Sequence, residues 1–385
     1  MRVALITDGI WPYVLGGMQK HSYYLCKYLA RKQVQVDLFH FNQSNYAIEE
    51  LAFFTEAERK YIRSFVLEFP EAKPIPGHYL RRSFKYSELV FERILPHLPE
   101  YHFIYSKGFS GWKLIHEKHR GKVQSAPIGV NFHGYEMFQT APSFKIKLQQ
   151  WLLLRNPVKQ ISREADMVFS YGGKITPIIQ SLGVPDSKLF EMPSGVEEHV
   201  LVNNIRETGK RLSFLFLGRY ERRKGIEELY EALHRLTDGA SPLPFDVHVV
   251  GPIPDSLVLT MQGLHYHGEI RDPALLKSKL NACDILICPS WSEGMPNVIL
   301  EAMANGLAVI ATDVGATRVL VDNSCGWLLP NNEPAALARV LQTVNQTDRK
   351  QIDTLKQAAL TKIREHFVWD VLIERFCKRF LHSPA

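Results

Sequence analysis

Residues 284–306 read DILICPSWSEGMPNVILEAMANG. The apolar run Ile285–Pro289 has the length and composition of a strand buried on both faces. A loop carrying Glu293 and Gly294 follows, and Pro296 suits the first turn of a helix, where a missing N–H costs nothing. That helix, Pro296–Asn305, carries Glu301 and stops near Gly306. Another continuous apolar run, LSFLFLG at 212–218, is also followed by a helical pattern, Gly225–Leu236. Strands of this kind alternating with helices predict a parallel sheet with crossover helices.

The same alternation runs outward in both directions. In the second half it predicts strands Asp246–Gly251, Leu264–His267, Ala308–Thr312 and Gly326–Leu329, with helices Pro273–Leu280, Ala335–Val344 and Arg349–Glu365. In the first half it predicts strands Val3–Thr7, Val34–Phe41, Phe103–Ser106, Ile128–His133, Met167–Ser170 and Lys188–Met192, with helices Gly17–Arg31 and Gly173–Leu182. Two such halves imply an α/β chain of two doubly wound, Rossmann-like domains with ligands beyond the carboxyl ends of the strands, and if both carboxyl edges face one cleft the site lies between the domains. The polar stretch Val200–Lys210 is the expected join, giving domains of residues 1–205 and 206–366. An amphipathic segment, 367–385, is expected to pack back on the first domain through Trp369, Leu372, Phe376 and Phe380. Asn42–Lys85 has weak periodicity and dense charge and reads as a variable insertion.

Composition agrees with a two-domain enzyme. The chain has 385 residues, 45% hydrophobic and 22% charged, and single cores rarely exceed about 250–300 residues. No apolar run approaches the roughly 18–20 residues of a membrane span. The N-terminal apolar run ends at Asp8 without a small-residue cleavage site, so a first strand fits better than a signal peptide. The five cysteines form no metal-binding spacing and are expected to be buried thiols of a reducing, cytoplasmic compartment. The net charge of +6 lies in residues 1–200, where about 25 Lys+Arg face about 19 Asp+Glu. That excess fits an anionic partner or a plain solvated surface.

The chemistry-bearing residues gather at predicted strand ends. The free N–H groups expected at Asn297, Val298 and Ile299 make a ready phosphate site, and Glu293 and Glu301 bracket it with carboxylates that can accept hydrogen bonds from sugar hydroxyls. Arg219, Arg223, Lys224 and Gly225 follow the strand 212–218. Gly16 and Gly17 follow the first strand, and His133 ends the strand that starts at Ile128. There is no Asp-x-Asp, no GxxxxGK[ST] loop, no GxGxxG and no His cluster at metal spacing, so no metal site is expected. No stacked-aromatic motif supports nucleic-acid binding.

The spacing Glu293-x7-Glu301, with Gly218-Arg219 and Lys224-Gly225 ahead of it, resembles the signature of retaining glycosyltransferases of family 4, which have the two-domain GT-B fold. The resemblance covers nearly the whole chain. It implies that Arg219 and Lys224 bind the donor diphosphate, that Glu293 orients the donor sugar, and that Glu301 binds the ribose hydroxyls. Gly16 and Gly17 resemble the family's Gly-rich loop, and His133 matches the histidine placed over the donor sugar. His267-Gly268-Glu269-Ile270 resembles the strand end that meets the base, and Gly294, Met295, Pro296, Asn297 and Val298 complete the donor contacts. Asp313-Val314-Gly315-Ala316 resembles a further Gly loop, read mainly as a tight turn. Ser194 stands where the family's Asn is usual. His133, Arg219, Lys224 and Glu293 are the expected catalytic group.

The implied activity is metal-independent transfer, with retention, of a hexose-type sugar from a UDP- or GDP-sugar to a glycan or lipid-linked acceptor. No cofactor is expected beyond the nucleotide-sugar co-substrate. A nucleotide-sugar epimerase of the same fold and an inactive sugar-nucleotide-binding subunit are the alternatives. Lys145, Lys147, Arg155 and Lys159, interleaved with Trp151, Leu152 and Leu153, can rest on an anionic membrane surface or form a helix with one buried face. The expected location is therefore the cytoplasm, with a peripheral contact at the inner face of the membrane.

Overall fold

The computed structural model describes residues 1–14, 16–41, 51–71, 77–237 and 241–381. The chain divides into two units. The first comprises Met1–Phe138, Leu148–Ser194 and the chain from Trp369 onward; the second comprises Gln139–Lys147 and Gly195–Val368.

The first unit is built on a seven-stranded sheet. Its strands are β1 (Arg2–Ile6), β2 (Gln35–Phe41), β3 (Ile62–Leu67), β4 (Phe103–Lys107), β5 (Ile128–Asn131), β6 (Met167–Ser170) and β7 (Leu189–Glu191). They lie in the order β3-β2-β1-β4-β5-β6-β7, and every pairing is parallel. The order reverses between β1 and β4, and a doubly wound sheet places its ligand crevice at the carboxyl ends beside that switch. Strand β3 lies inside the stretch expected to be an insertion. It is an edge strand in which Phe65 is buried and Arg63 and Val66 are exposed, so it lacks the continuous apolar run of the central strands. Arg63 Nε donates to the buried Asp37 of β2 at 3.0 Å, which ties the edge to the sheet. Ahead of β3, Thr55 and Glu58 form a capping box on the short helix Glu56–Arg59. The parts of the expected insertion at 42–50 and 72–76 lie outside the described residues.

Helix Trp369–Phe380 belongs to the first unit, where Trp369, Ile373, Phe376 and Cys377 join the core formed with Leu25, Tyr28, Phe103 and Phe169. Trp369 is fully buried, with its ring centroid 6.0 Å from that of Tyr28 and 5.1 Å from that of His21. Burying each such side chain contributes about 1.5–3 kcal/mol.

The second unit holds a six-stranded sheet of β8 (Ser213–Leu217), β9 (Asp246–Val250), β10 (Leu264–Tyr266), β11 (Ile285–Cys288), β12 (Ala308–Thr312) and β13 (Gly326–Leu329). Its order is β10-β9-β8-β11-β12-β13, again all parallel, with the reversal between β8 and β11. Strands β11 and β12 are buried along their whole length, as continuous apolar runs should be in a sheet covered on both faces.

The chain crosses between units at Ser194/Gly195 and at Val368/Trp369. On the second unit's side the two crossings run together: Val196 bridges Val368 in parallel, and its N–H donates to the Phe367 carbonyl at 2.8 Å. The polar stretch expected to be the join is instead fastened to the second unit. Val202 N–H donates to Ala304 O at 3.0 Å and Thr208 N–H to Asp353 Oδ1 at 2.9 Å. Arg206 pairs with the buried Asp284 at 2.5 Å, and Lys356 Nζ reaches the same carboxylate at 3.2 Å. All five cysteines are buried and none is in a disulfide. No described helix is long and apolar enough to cross a membrane.

Candidate active site

In the second unit the residues that end β8 and β11, the two strands flanking the switch, converge on one carboxylate. Glu293 lies five residues past β11 and is 6% exposed. Its Oε1 accepts from Lys224 Nζ at 2.7 Å and from Ser290 Oγ at 2.9 Å. Arg223 Nη1 stands 3.6 Å from Oε2. Burial pushes the Glu293 pKa up, but the charges of Lys224 and Arg223, with hydrogen bonds from Lys224 and Ser290, outweigh it and hold the carboxyl below its usual range. The backbone of the loop is fixed as well. Gln139 Nε2 donates to Glu293 O at 2.7 Å, and Trp291 N–H donates to Arg223 O at 2.8 Å.

Two glycines make this packing possible. Gly225 has φ +73°, and a Cβ there would overlap the carbonyl of Pro289 at the end of the β11 run. Gly315 has φ +54°, and its Cβ would overlap the carbonyl oxygens of Glu293 and Gly294. Ala316 N–H donates to Gly294 O at 2.8 Å. The loop after β12, expected to be mainly a tight turn, is thus also the support on which the Glu293 loop rests.

Helix Asn297–Ala304 begins directly after Pro296, which caps it. The Ile299 N–H is taken by Pro296 O at 3.0 Å, so the accessible start is narrower than the three amides expected from sequence. Met295 and Pro296 are buried, whereas Asn297, Val298 and Glu301 are partly exposed. Spacings of three and four residues put Glu301 on one helix face with Val298 and Asn297. Arg219 is extended into solvent and pairs with Glu221 at 2.7 Å, with its side chain 71% exposed. Ile270 is partly exposed in the loop after β10, which is held where Gly268 O accepts from Gly251 N–H at 2.8 Å. The structure therefore brings Lys224 onto Glu293, keeps Gly294 beside them, and leaves Arg219 paired elsewhere.

In the first unit Gly16, Gly17 and His133 stand at the carboxyl ends of β1 and β5. Gly16 serves a neighbour: a Cβ there would overlap the Gln19 carboxamide, whose Nε2 donates to Asp8 Oδ1 at 2.9 Å. Burial lifts the Asp8 pKa to about 6, against the opposing Gln19 hydrogen bond and the Lys107 charge. His133 Nδ1 is 3.1 Å from the Tyr171 hydroxyl, which donates to Asn131 Oδ1 at 3.2 Å. Lys107 Nζ, fully buried, donates to the same oxygen at 2.7 Å and lies 2.8 Å from His21 Nδ1. Burial drives the Lys107 pKa well below its ordinary value. The Tyr171 hydroxyl donates to Asn131, so its oxygen is placed to accept from the His133 ring.

A cavity of about 320 Å³ opens beside this network. Asp8, Gly17, Gln19, His133 and Glu136 all line it. Asp8, Lys107, Tyr171 and Gln139 escaped the sequence reasoning because their partners lie 11 to 154 residues away. Ser290 alone carried a signal, its place just past a buried strand.

Comparison with known proteins gives a consistent answer. Residues 15–200 match the model of Glycosyltransferase Family 4, and residues 211–347 match that of Glycosyl transferases group 1. The phosphatidyl-myo-inositol mannosyltransferase of Mycobacterium leprae is 26% identical over 373 residues, covering 90% of this chain and 88% of that protein. In the first curated relatives, by contrast, the matched region spans about half of their length. Among solved structures, sucrose-phosphate synthase from Thermosynechococcus elongatus superposes with a TM-score of 0.75 at 20% identity, covering 98% of each chain. Anabaena HepE, solved with UDP and glucose, gives a TM-score of 0.64 at 17% identity over the whole of both chains. Two family models matched one after the other along the sequence, and two parallel sheets of the corresponding topology, place the chain in glycosyltransferase family 4, with the GT-B fold.

Proposed function

We propose that the protein is a retaining, metal-independent glycosyltransferase that moves a hexose-type sugar from a UDP- or GDP-sugar to a glycan or lipid-linked acceptor. The observation that carries this reading is the convergence of Lys224, Arg223 and Ser290 on the buried Glu293, ahead of an accessible helix start. In the transfer, the bond between the anomeric carbon and the phosphate oxygen breaks and the acceptor oxygen bonds to that carbon on the same face. The acceptor proton passes to the departing phosphate oxygen, leaving a glycoside and a nucleoside diphosphate. Charge on the diphosphate grows as its bond breaks, so fixed positive groups aimed there stabilise the transition state more than the ground state.

Lys224 is prepared for that role. An ammonium has three donors, and Glu293 takes one of them. The amides at Asn297 and Val298 add the positive end of a helix. Glu293, with Oε1 engaged, offers Oε2 to a donor-sugar hydroxyl. Glu301, one turn into the helix, accepts from the ribose, and Arg219 leaves Glu221 for the diphosphate. His133 hydrogen-bonds a donor-sugar hydroxyl. The relative solved with UDP and glucose supports a UDP-linked donor, and the lipid in the mycobacterial relative's name supports a lipid-linked acceptor.

Helix Phe144–Leu153 has no buried residue, and Phe144, Trp151 and Leu152 are exposed on it beside Lys145 and Lys147. Apolar and basic side chains together support a peripheral contact with an anionic membrane from the cytoplasm. Salt-sensitive co-sedimentation with phosphatidylglycerol vesicles is the expected result, and none at low salt would retire the contact.

The test of the main reading is thermal unfolding against a panel of UDP-, GDP- and ADP-sugars. One class of donor should raise the transition by mass action, about 2.7 kcal/mol at a hundredfold excess over Kd. The same donor should then release nucleoside diphosphate only when an acceptor is present. No protection by any donor would overturn the reading, and release of an altered sugar nucleotide without acceptor would favour an epimerase.

A further inference from the structure

The backbone of Glu293 is held by a side chain for which the transfer chemistry has no use. Gln139 Nε2 donates to Glu293 O at 2.7 Å, and Glu293 N–H donates back to Gln139 Oε1 at 3.4 Å. Both residues belong to the second unit, which takes in the piece of chain Gln139–Lys147. One carboxamide thus engages both backbone polar groups of one residue, the short bond to the carbonyl being the stronger. With the amide turned the other way, N–H would face N–H and oxygen would face oxygen, so the pairing fixes its orientation. Glu293 is buried in the loop between β11 and helix Asn297–Ala304. Buried backbone groups outside regular structure still need partners, and here the partner comes from 154 residues away.

The Glu293 carboxylate is held separately. Its Oε1 accepts from Lys224 and Ser290, so the cations of the diphosphate side do not depend on Gln139. The reach of Oε2 toward a sugar hydroxyl does depend on where the Glu293 backbone stands. Such a group must be kept within about 0.5 Å of its working position.

We propose that Gln139 is a positioning residue for the donor sugar: by clasping both backbone groups of Glu293 it sets the carboxylate against the sugar ring, while the diphosphate is bound without it. This role rests on the glycosyltransferase reading and deepens it, separating the groups that grip the sugar from those that grip the phosphates.

Calorimetric titration of the full-length protein tests it, with UDP-glucose, UDP-galactose and UDP-N-acetylglucosamine against UDP, and GDP-mannose against GDP. The nucleotide sugar that the wild type binds tightest is then taken to the variants with its free diphosphate. Gln139→Ala should bind that nucleotide sugar about tenfold more weakly, the loss of one hydrogen bond to a charged group, and the free diphosphate within about twofold of wild type. Gln139→Glu adds a readout that a merely structural role would not move. Ionised, the introduced carboxyl accepts but cannot donate, so it faces the Glu293 carbonyl oxygen without a proton. Protonated, it replaces the amide, its O–H donating to Glu293 O and its C=O accepting from the N–H. Partly buried and close to a second acid, it should titrate above the ordinary value of about 4.3. The Glu293 pKa is depressed, so that carboxylate stays charged in the same range. Relative to wild type at the same pH, the nucleotide-sugar deficit of Gln139→Glu should be about tenfold at about pH 8 and shrink at about pH 5, whereas that of Gln139→Ala should not change. Equal weakening of nucleotide sugar and free diphosphate, unchanged affinity in both variants, or a Gln139→Glu deficit that is the same at both pH values would overturn the role. Failure of the glycosyltransferase reading looks different: the wild type then binds no nucleotide sugar and neither diphosphate.

Discussion

Replacing Lys224 with Met should damage the second unit in a way that depends on pH. Breaking a buried pair costs about 3–5 kcal/mol, because the surviving charge is left uncompensated. Here Lys224 is 18% exposed in its side chain, and Arg223 remains 3.6 Å from Glu293, so about 2–3 kcal/mol is expected near neutral pH. In the wild type the folded Glu293 pKa is depressed. Its stabilisation is therefore present above the unfolded value, about 4.3, and lost as pH falls through the lower folded value. In Lys224→Met the leading influence left is burial, which raises the pKa and reverses the sign. The penalty is then full at neutral pH and relieved as Glu293 takes a proton on acidification. Urea unfolding followed by tryptophan fluorescence at about pH 7.5 and about pH 5 reads the difference, since Trp291 sits beside the site. The gap between wild type and variant should shrink by about 1 kcal/mol or more over that range, one pKa unit being 1.36 kcal/mol. Adding Glu293→Gln should recover part of the loss. An equal penalty at both pH values, with no recovery in the double variant, would refute the role assigned to the pair.

Three other outcomes follow from the same geometry. Gly315→Ala should cost about 2–4 kcal/mol, from left-handed strain and overlap with the Glu293 and Gly294 carbonyls, and should weaken nucleotide-sugar protection in thermal unfolding. Tyr171→Phe removes one hydrogen bond to the His133 ring and one to Asn131 Oδ1, which Lys107 still holds, so stability should fall by about 0.5–1.5 kcal/mol in urea, with kcat falling more than donor affinity. Glu301→Ala should lower donor affinity by about 1.5–3 kcal/mol in calorimetric titration while kcat at saturating donor stays close to wild type; unchanged affinity would remove Glu301 from the ribose.

What was legible in the sequence was local. Strands β8, β11 and β12 announce themselves because burial on both faces demands unbroken apolar runs. The sequence from Ile285 to Glu301 also carries its own strand, loop, cap and helix, so Glu293 and its helix start could be placed without any partner. Strand β3 was hidden because an edge strand need bury only one face, and Phe65 is its sole buried side chain. Val200–Lys210, expected as the join from its polarity, has its charges and amides engaged by Asp284, Lys356 and Asp353, partners that lie far along the sequence. The cavity of the first unit was illegible for a related reason. Asp8, Ser110, His133 and Glu136 meet only when parallel strands far apart in sequence end at one edge.

The place of helix Trp369–Phe380 in the first unit's core bears on how the chain is made. On the ribosome, residues 1–194 emerge long before the side chains that complete their interior. Until Trp369, Ile373 and Phe376 arrive, the faces of Tyr28, Phe103 and Phe169 that they cover stay open to water. The second unit has no such dependence, since all its residues precede Trp369. Domains usually mature from the N-terminus onward during synthesis. In this protein the later-synthesised unit is the first able to finish, and the earlier one waits as an unsealed, aggregation-prone intermediate for its closing helix.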